Sequence, residues 1–166
     1  MDATLPDLQN RDDVYGLVHE FYQRAFADEL LGPIFIDIAK MDLDHHMPIM
    51  CDFWETVLFR AGLYHRNALA LHVNLNKKVT LTGEHFDRWL SIWVRNVDEH
   101  FAGEKADLAK VQARRIAGSI HRRLQGKSGS EFGSIHSREA YAAMGTGPVG
   151  RESVDGRATD PTEQTA

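Results

Sequence analysis

The stretch that decides the fold is Leu81–Phe101, which reads LTGEHFDRWLSIWVRNVDEHF. Thr82 stands just before its apolar pattern, where an N-cap is expected, and Gly103 follows it at the position of a C-cap. The apolar residues recur every three or four positions, the period of one face of an α-helix: Phe86, Trp89, Leu90, Trp93, Val97 and Phe101. The stretch therefore predicts a long amphipathic helix.

Outward from this stretch, the same period predicts three more substantial helices. The first has Asn10 as its expected N-cap and runs through Ala25. The others are expected from about Asp42 to Ala61 and over Glu104–Leu124, with one short helix at Ala68–His72. The second helix is expected to bury one stripe: Met50, Phe53, Trp54, Val57, Leu58 and Ala61. Because no two runs alternate as the strands of a hairpin would, the sequence predicts an all-α fold.

Composition divides the chain near Gln125. Residues 1–125 carry the helical period and are expected to form one domain, since the 166-residue chain is too short for two hydrophobic cores of adequate size. Residues 126–166 are rich in Gly, Ser, Thr and charged residues, and this predicts a mostly disordered tail. The tail contains one candidate helix, Ser137–Met144, and a docking segment is the alternative interpretation.

Charge and cysteine content exclude several classes of function. The net charge of −5 does not favour a phosphate backbone, so nucleic acid is not expected as a partner. A single cysteine, Cys51, allows neither an internal disulfide nor a thiolate cluster, and we interpret it as a small buried residue. No stretch approaches the roughly 18 apolar residues of a membrane span, and the polar start contains no apolar signal core. A cytoplasmic location is the expectation.

Taken together, several motifs resemble the truncated haemoglobins, most closely their third group. The motifs are Phe21-Tyr22, LGPIF at Leu31–Phe35, His46-x-Pro48 leading into Asp52-Phe53-Trp54, ALALH ending at His72, and LTGEHFDRWL at Leu81–Leu90. The resemblance covers roughly residues 10 to 124, and the absence of Gly-Gly pairs between helices also fits the third group. It implies a two-over-two helical sandwich around haem. The connection from His72 to Leu81 is longer than the resemblance leads one to expect.

The resemblance assigns His72 as the proximal ligand of the haem iron, through a neutral imidazole nitrogen. Phe35 would lie near the haem edge, and Met50 would lie one turn deeper in the pocket than His46. Lys77 and Lys78 follow the proposed ligand, and their ammonium groups are candidates to pair with the haem propionates.

On the ligand side, the resemblance implies three hydrogen-bonding residues, namely Tyr22, Trp89 and His46. His46 would lie at the mouth of the pocket, where it could donate to a ligand, swing outward as a gate or bind iron directly. The remaining histidines are interpreted as solvated surface residues: His19, His45, His65, His85, His100, His121 and His136.

These residues predict a haem protein that binds oxygen and related diatomic gases, including CO and NO, with tight retention of oxygen. Turnover of nitric oxide or peroxide, as in an NO dioxygenase or a peroxidase, would need a reductase, since the chain has no G-x-G-x-x-G fingerprint between a predicted strand and a predicted helix, as a nucleotide site requires. Two alternatives come from other classes. One is a haem-based sensor or interaction module that signals ligand state to a partner, and the other is a helical domain whose aromatic residues simply pack.

Overall fold

The computed structural model describes residues 3–126. All regular secondary structure in this part of the chain is helical. Its elements are α1 (Arg11–Ala27), a π-helical turn (Ile34–Ile38), α2 (Leu43–Phe59), α3 (Ala68–Lys78), α4 (Gly83–His100) and α5 (Glu104–Leu124). The prediction of an all-α fold is confirmed. None of these helices is long and apolar enough to cross a membrane. The predicted tail and its candidate helix Ser137–Met144 lie outside the described residues.

The long helices form two pairs that pack on each other. Helix α1 packs on α2 and α4 packs on α5, while α1–α4 and α2–α5 contacts join the two pairs. This is the expected two-over-two arrangement. At its centre the Trp54 and Trp93 rings stack with centroids 4.3 Å apart, and Phe21 meets Trp93 edge-on at 5.4 Å. Helix α3 stands outside the pairs and packs against α5.

Polar side chains set the beginnings of three helices. Asn10 accepts a hydrogen bond from the Asp13 N–H at 3.0 Å, as the sequence predicts for α1. Asp42 caps α2 in the same way, and the Asn67 side chain caps α3 by accepting from the Ala70 N–H at 3.0 Å. Helix α2 ends earlier than predicted, because Arg60 adopts a left-handed conformation with φ of 56°.

Two predicted boundaries are wrong. Helix α3 does not stop at His72 but continues to Lys78, so most of the expected long loop is helical. The Asn76 side chain accepts from the Leu81 N–H at 2.8 Å and ties the end of α3 to the next turn. Gly103 is not the C-cap of α4, which is capped by Phe101. It is the N-cap residue of α5, with φ of 141°.

The predicted apolar stripes are only partly buried. In α2, Met50 and Val57 are half-buried, whereas Met47 and Cys51 are fully buried, and Ala61, beyond the end of the helix, is exposed. In α4, the ring of Trp93 is buried but the N-terminal part of the stripe, including Phe86 and Trp89, is half-buried. Met50, Phe86 and Trp89 line a cavity, which explains why apolar side chains at helical spacing are not covered by other side chains.

Candidate functional site

A cavity of about 630 Å³ opens between the helices. Its volume lies within the roughly 300–1,000 Å³ of sites that hold cofactors and small ligands, and its walls are mostly apolar. All six residues singled out from the sequence line it: Tyr22, Phe35, His46, Met50, His72 and Trp89. They come from α1, the π-helical turn and α2, α3 and α4, so the fold brings together residues that are far apart in the chain.

His72 is held by its own helix in one orientation. Its Nδ1 lies 2.7 Å from the Ala68 carbonyl oxygen one turn earlier, and because a carbonyl only accepts, Nδ1 carries the proton. Nε2 then keeps its lone pair on a side chain that lines the cavity. Burial lowers the pKa of His72, against the opposing effect of the Ala68 hydrogen bond, and so favours the neutral imidazole. A neutral imidazole with one nitrogen fixed and the other free is a ready metal ligand.

Tyr22 and His46 form a hydrogen-bonded pair in the same cavity. The Tyr22 phenol oxygen lies 3.0 Å from His46 Nε2, and the Tyr22 side chain is buried. Burial lowers the pKa of His46 to about 4, with a smaller contribution from the positive charge of Arg66. Burial also raises the pKa of the Tyr22 phenol, so both groups are neutral near pH 7. A neutral pair can exchange the roles of donor and acceptor when the imidazole changes tautomer.

Trp89 and Trp93 have parallel rings but different hydrogen-bonding states. Trp93 Nε1–H donates to the Ala109 carbonyl at 3.2 Å. The Trp89 ring lies 6.2 Å from that of Trp93 between centroids and also lines the cavity. No acceptor for its N–H is found among residues 3–126. Trp93 also lines the cavity but has its N–H satisfied by the protein, whereas Trp89 has an N–H available to a molecule in the cavity.

Three cationic side chains stand where the cavity meets solvent. Lys40, Arg66 and Lys78 are exposed and also line the cavity. Lys78 is one of the two lysines predicted near a bound carboxylate, while Lys77 is exposed but does not line the cavity. An apolar chamber with cations at its edge suits a flat apolar ligand that carries carboxylates.

Other cavity residues were missed or misinterpreted in the sequence. His45 is exposed, as expected, but also lines the cavity. His85 was expected to be solvated, yet it is half-buried, lines the cavity and caps α4 by accepting from the Thr82 N–H at 2.9 Å. His121, expected at the surface, stacks on the ring of Phe86. Tyr64 is a second buried phenol in the cavity wall and packs edge-on against Phe53. No periodic signal could have found Tyr64, because it lies in a loop.

This arrangement of two pairs of helices is similar to the fold of a solved truncated hemoglobin. No family model matches the sequence. A curated relative, group 3 truncated hemoglobin ctb from Campylobacter jejuni, is 25% identical over 118 residues, which cover 69% of this chain and 91% of the relative. The crystal structure of group III truncated hemoglobin from Campylobacter jejuni superposes with a TM-score of 0.63 at 25% identity, over 70% of this chain and 92% of that one.

The comparisons confirm the family resemblance seen in the sequence and the truncated globin fold. They support a globin-type haem protein with a gaseous ligand. The cavity residues would fit haem chemically: Nε2 of His72 is a free imidazole nitrogen, the walls are mostly apolar, and cations stand at the edge, where they could pair with two propionates.

Proposed function

We propose that this chain binds one haem through Nε2 of His72 and retains oxygen through hydrogen bonds from Tyr22 and Trp89. The observation that carries the proposal is the 2.7 Å contact of His72 Nδ1 with the Ala68 carbonyl, which leaves Nε2 as the free nitrogen in the cavity. Phe35 and Met50 supply apolar walls, and Lys40, Arg66 and Lys78 face the propionates. When bound, the haem supplies an iron with one coordination position open to a diatomic gas.

Tyr22 and His46 together decide how strongly a gas is retained. In the Nδ1–H tautomer of His46, the Tyr22 hydroxyl donates to Nε2 and its proton is not available to a ligand. In the Nε2–H tautomer, His46 donates to the Tyr22 oxygen and the phenol proton is free to point into the cavity. A ligand with a partly charged outer atom favours the second arrangement, since a hydrogen bond to a charged group stabilises it by roughly 1.5–3 kcal/mol.

Trp89 adds an independent donor from another helix. Its N–H has no acceptor among residues 3–126, so a polar ligand satisfies it without breaking a hydrogen bond to the protein. Each donor should slow oxygen release by about tenfold or more, because 1.4 kcal/mol corresponds to a factor of ten. Carbon monoxide carries less charge on its outer atom and gains less. Tight retention favours chemistry on the ligand, such as turnover of nitric oxide or peroxide, over oxygen delivery.

Turnover of either substrate requires electrons from outside the chain, and we propose a reductase as their source. The alternative, a sensor that signals ligand state through the tail, depends on residues 127–166, which lie outside the described residues. The two hypotheses share the haem site and differ only in the step after ligand binding.

The haem site is tested by spectra of the full chain after reconstitution with haem. Wild type should show the intense violet band of a haem protein, and its ferrous spectrum should change with oxygen. His72→Gly should lose the histidine-ligated ferrous spectrum, and free imidazole should restore it by occupying the vacated position. His65→Gly is the matched control, because His65 is exposed and does not line the cavity.

Two results would contradict the proposal. One is a wild-type protein that stays colourless after reconstitution. The other is a His72→Gly variant whose ferrous spectrum is the same as that of wild type and does not respond to imidazole.

A further inference from the structure

The segment from Thr56 to Gly83 has an unusual charge distribution for this chain. It contains Arg60, Arg66, Lys77 and Lys78 and no acidic residue, although acidic residues outnumber basic ones over the whole chain, by 24 to 19. The segment comprises the end of α2, the loop after it, all of α3 and the turn before α4. Glu55, just before it, is paired with Arg11, and Glu84 lies just beyond it. The segment is therefore cationic, and the last turn of α3 carries two of its four basic residues.

Large apolar side chains are exposed on the same segment. Leu63 is 47% exposed, Leu71 57% and Val73 36%. Val73 and Lys77 are one helical turn apart on the outer side of α3, while Leu71 and Lys78 are two turns apart and line the cavity edge. We call the following six residues the α3 face: Leu63, Arg66, Leu71, Val73, Lys77 and Lys78. Exposed apolar groups beside cations are typical of a protein interface, whose core is apolar and whose rim is polar.

Hydrogen bonds hold this face in shape. The Thr56 hydroxyl oxygen accepts from the N–H groups of Leu63 and Tyr64 at 3.0 and 3.1 Å, and the Tyr64 ring is buried against Phe53. The Asn67 cap holds the beginning of α3, and the hydrogen bond from the Leu81 N–H to the Asn76 side chain holds its end. A surface that is already ordered loses little conformational entropy on binding.

We infer that the α3 face docks an acidic protein that delivers electrons to the haem, an inference that rests on the function proposed above. Charge complementarity points to this partner, because a cationic patch on an acidic chain attracts acidic proteins in one orientation. Lys40 shares the two haem propionates with Arg66 and Lys78, so the face, which also carries Lys77, stays positive after haem binds. The face also adjoins the helix that carries His72, which keeps the path of the electron short.

The step transfers one electron and no proton. The reduced donor loses one electron, and the ferric haem gains it and becomes ferrous. Encounters of redox proteins are weak and bury less than about 1,200 Å² in total. A small face with a few cations and three apolar side chains is adequate for such an encounter.

The test uses the full chain with haem and a reduced plant-type [2Fe–2S] ferredoxin as an acidic one-electron donor. Stopped-flow absorbance gives the second-order rate constant for reduction of the ferric protein at low and high salt. The variants are Lys77→Glu and Leu63→Ser, neither of which alters a cavity residue. The matched control is Arg95→Glu, which makes the same change of charge at an exposed position of α4. A second measurement, without electron transfer, maps amide shifts of the CO-bound ferrous protein on addition of oxidised ferredoxin.

We expect Lys77→Glu to lower the rate constant about tenfold at low salt and much less at high salt, since salt screens exposed charges. Leu63→Ser should lower it at both salt concentrations, and Arg95→Glu should change it less than about twofold. The amide shifts should cluster in residues 60–78. Reduction by dithionite, a small reagent that needs no docking, should be the same in all four proteins.

Equal effects of Lys77→Glu and Arg95→Glu, or shifts away from residues 60–78, would overturn the inference. Binding of the face to phosphatidylserine vesicles but not to ferredoxin would also overturn it, in favour of a membrane surface. If haem and oxygen bind normally while docking fails, only this inference is lost. If haem fails to bind, the proposed function itself is contradicted.

Discussion

The Tyr22 phenol oxygen lies 3.0 Å from Nε2 of His46, and the two residues come from different helices that both line the cavity. Removing the hydroxyl takes away the donor without changing the shape of the ring. We therefore expect Tyr22→Phe to raise the oxygen dissociation rate of the ferrous protein by about tenfold or more, because a hydrogen bond to a partly charged ligand is lost. Displacement of oxygen by excess carbon monoxide in a stopped-flow instrument measures this rate.

The control for Tyr22→Phe is Tyr15→Phe, which removes a hydroxyl from an exposed position of the same helix. Tyr15→Phe should leave the dissociation rate unchanged. The carbon monoxide dissociation rate should respond less than the oxygen rate to Tyr22→Phe. A Tyr22→Phe protein that releases oxygen at the wild-type rate would show that the phenol does not reach the ligand.

The pKa of His46 predicts how acid affects the protein. Burial, aided by the charge of Arg66, lowers this pKa to about 4 from an ordinary value of 6.5. Between these two pH values the unfolded chain binds a proton that the folded protein does not, so the free energy of unfolding should fall as the pH drops from 6.5 toward 4. The loss from His46 should be on the order of 2 kcal/mol, less than the full shift implies because the ring is partly solvent-exposed.

His46→Gln removes the titrating group and should flatten this part of the pH dependence. Urea unfolding of the CO-bound ferrous protein at several pH values measures it for both proteins. Direct titration of the His46 ring by nuclear magnetic resonance gives the pKa itself. A ring that becomes protonated at its ordinary pKa would contradict the prediction.

The parallel indoles of Trp89 and Trp93 offer a matched pair of substitutions. Trp89→Phe should raise the oxygen dissociation rate about tenfold with little loss of stability, because the N–H it removes has no acceptor among residues 3–126. Trp93→Phe should change the oxygen dissociation rate little but destabilise the protein. It removes the hydrogen bond to the Ala109 carbonyl and leaves space in the core, at a cost of about 2–3 kcal/mol in the free energy of unfolding. The oxygen dissociation rate and the free energy of unfolding in urea are measured for both variants. If the two variants change both quantities alike, these assignments are contradicted.

The sequence predicted the long helices because their apolar period is strong, but period cannot distinguish a wall of packed side chains from the wall of a cavity. Phe86 and Trp89 follow the same stripe as Trp93, yet only Trp93 is buried in the core. Helix α3 was predicted too short because asparagines lower its intrinsic helix propensity, whereas the folded chain fixes its end through the Asn76 side chain. Lys40 and Arg66 gave no signal, since separate elements bring them to the same cavity edge.

The error at Gly103 has a similar cause, because the residue that explains it lies at the other end of the sequence. Asp7 accepts hydrogen bonds from the N–H groups of Lys105 and Ala106 at 2.9 and 2.8 Å, and so caps α5 from outside the helix. A β-carbon on Gly103 would lie 2.6 Å from the Asp7 carboxyl carbon, and φ of 141° is a conformation that favours glycine. The glycine is needed for the carboxylate to approach.

This contact predicts the outcome of a double-mutant cycle. Asp7→Ala should cost about 1–2 kcal/mol in the free energy of unfolding, the usual loss for an N-cap. Gly103→Ala should cost at least as much, because it strains the backbone and displaces the Asp7 carboxylate. The double variant should lose less than the two single losses combined, since both remove the same hydrogen bonds.

The pKa of Asp7 adds an independent check. Burial would raise this pKa, but the hydrogen bonds from Lys105, Ala106 and Leu8 outweigh burial and lower it. The stabilisation is therefore present above the ordinary pKa of an aspartate and is lost as the pH falls through the lowered value. The difference in unfolding free energy between wild type and Asp7→Ala should shrink on acidification in urea titrations. A difference that stays constant with pH, or strictly additive losses in the cycle, would show that Asp7 does not cap α5.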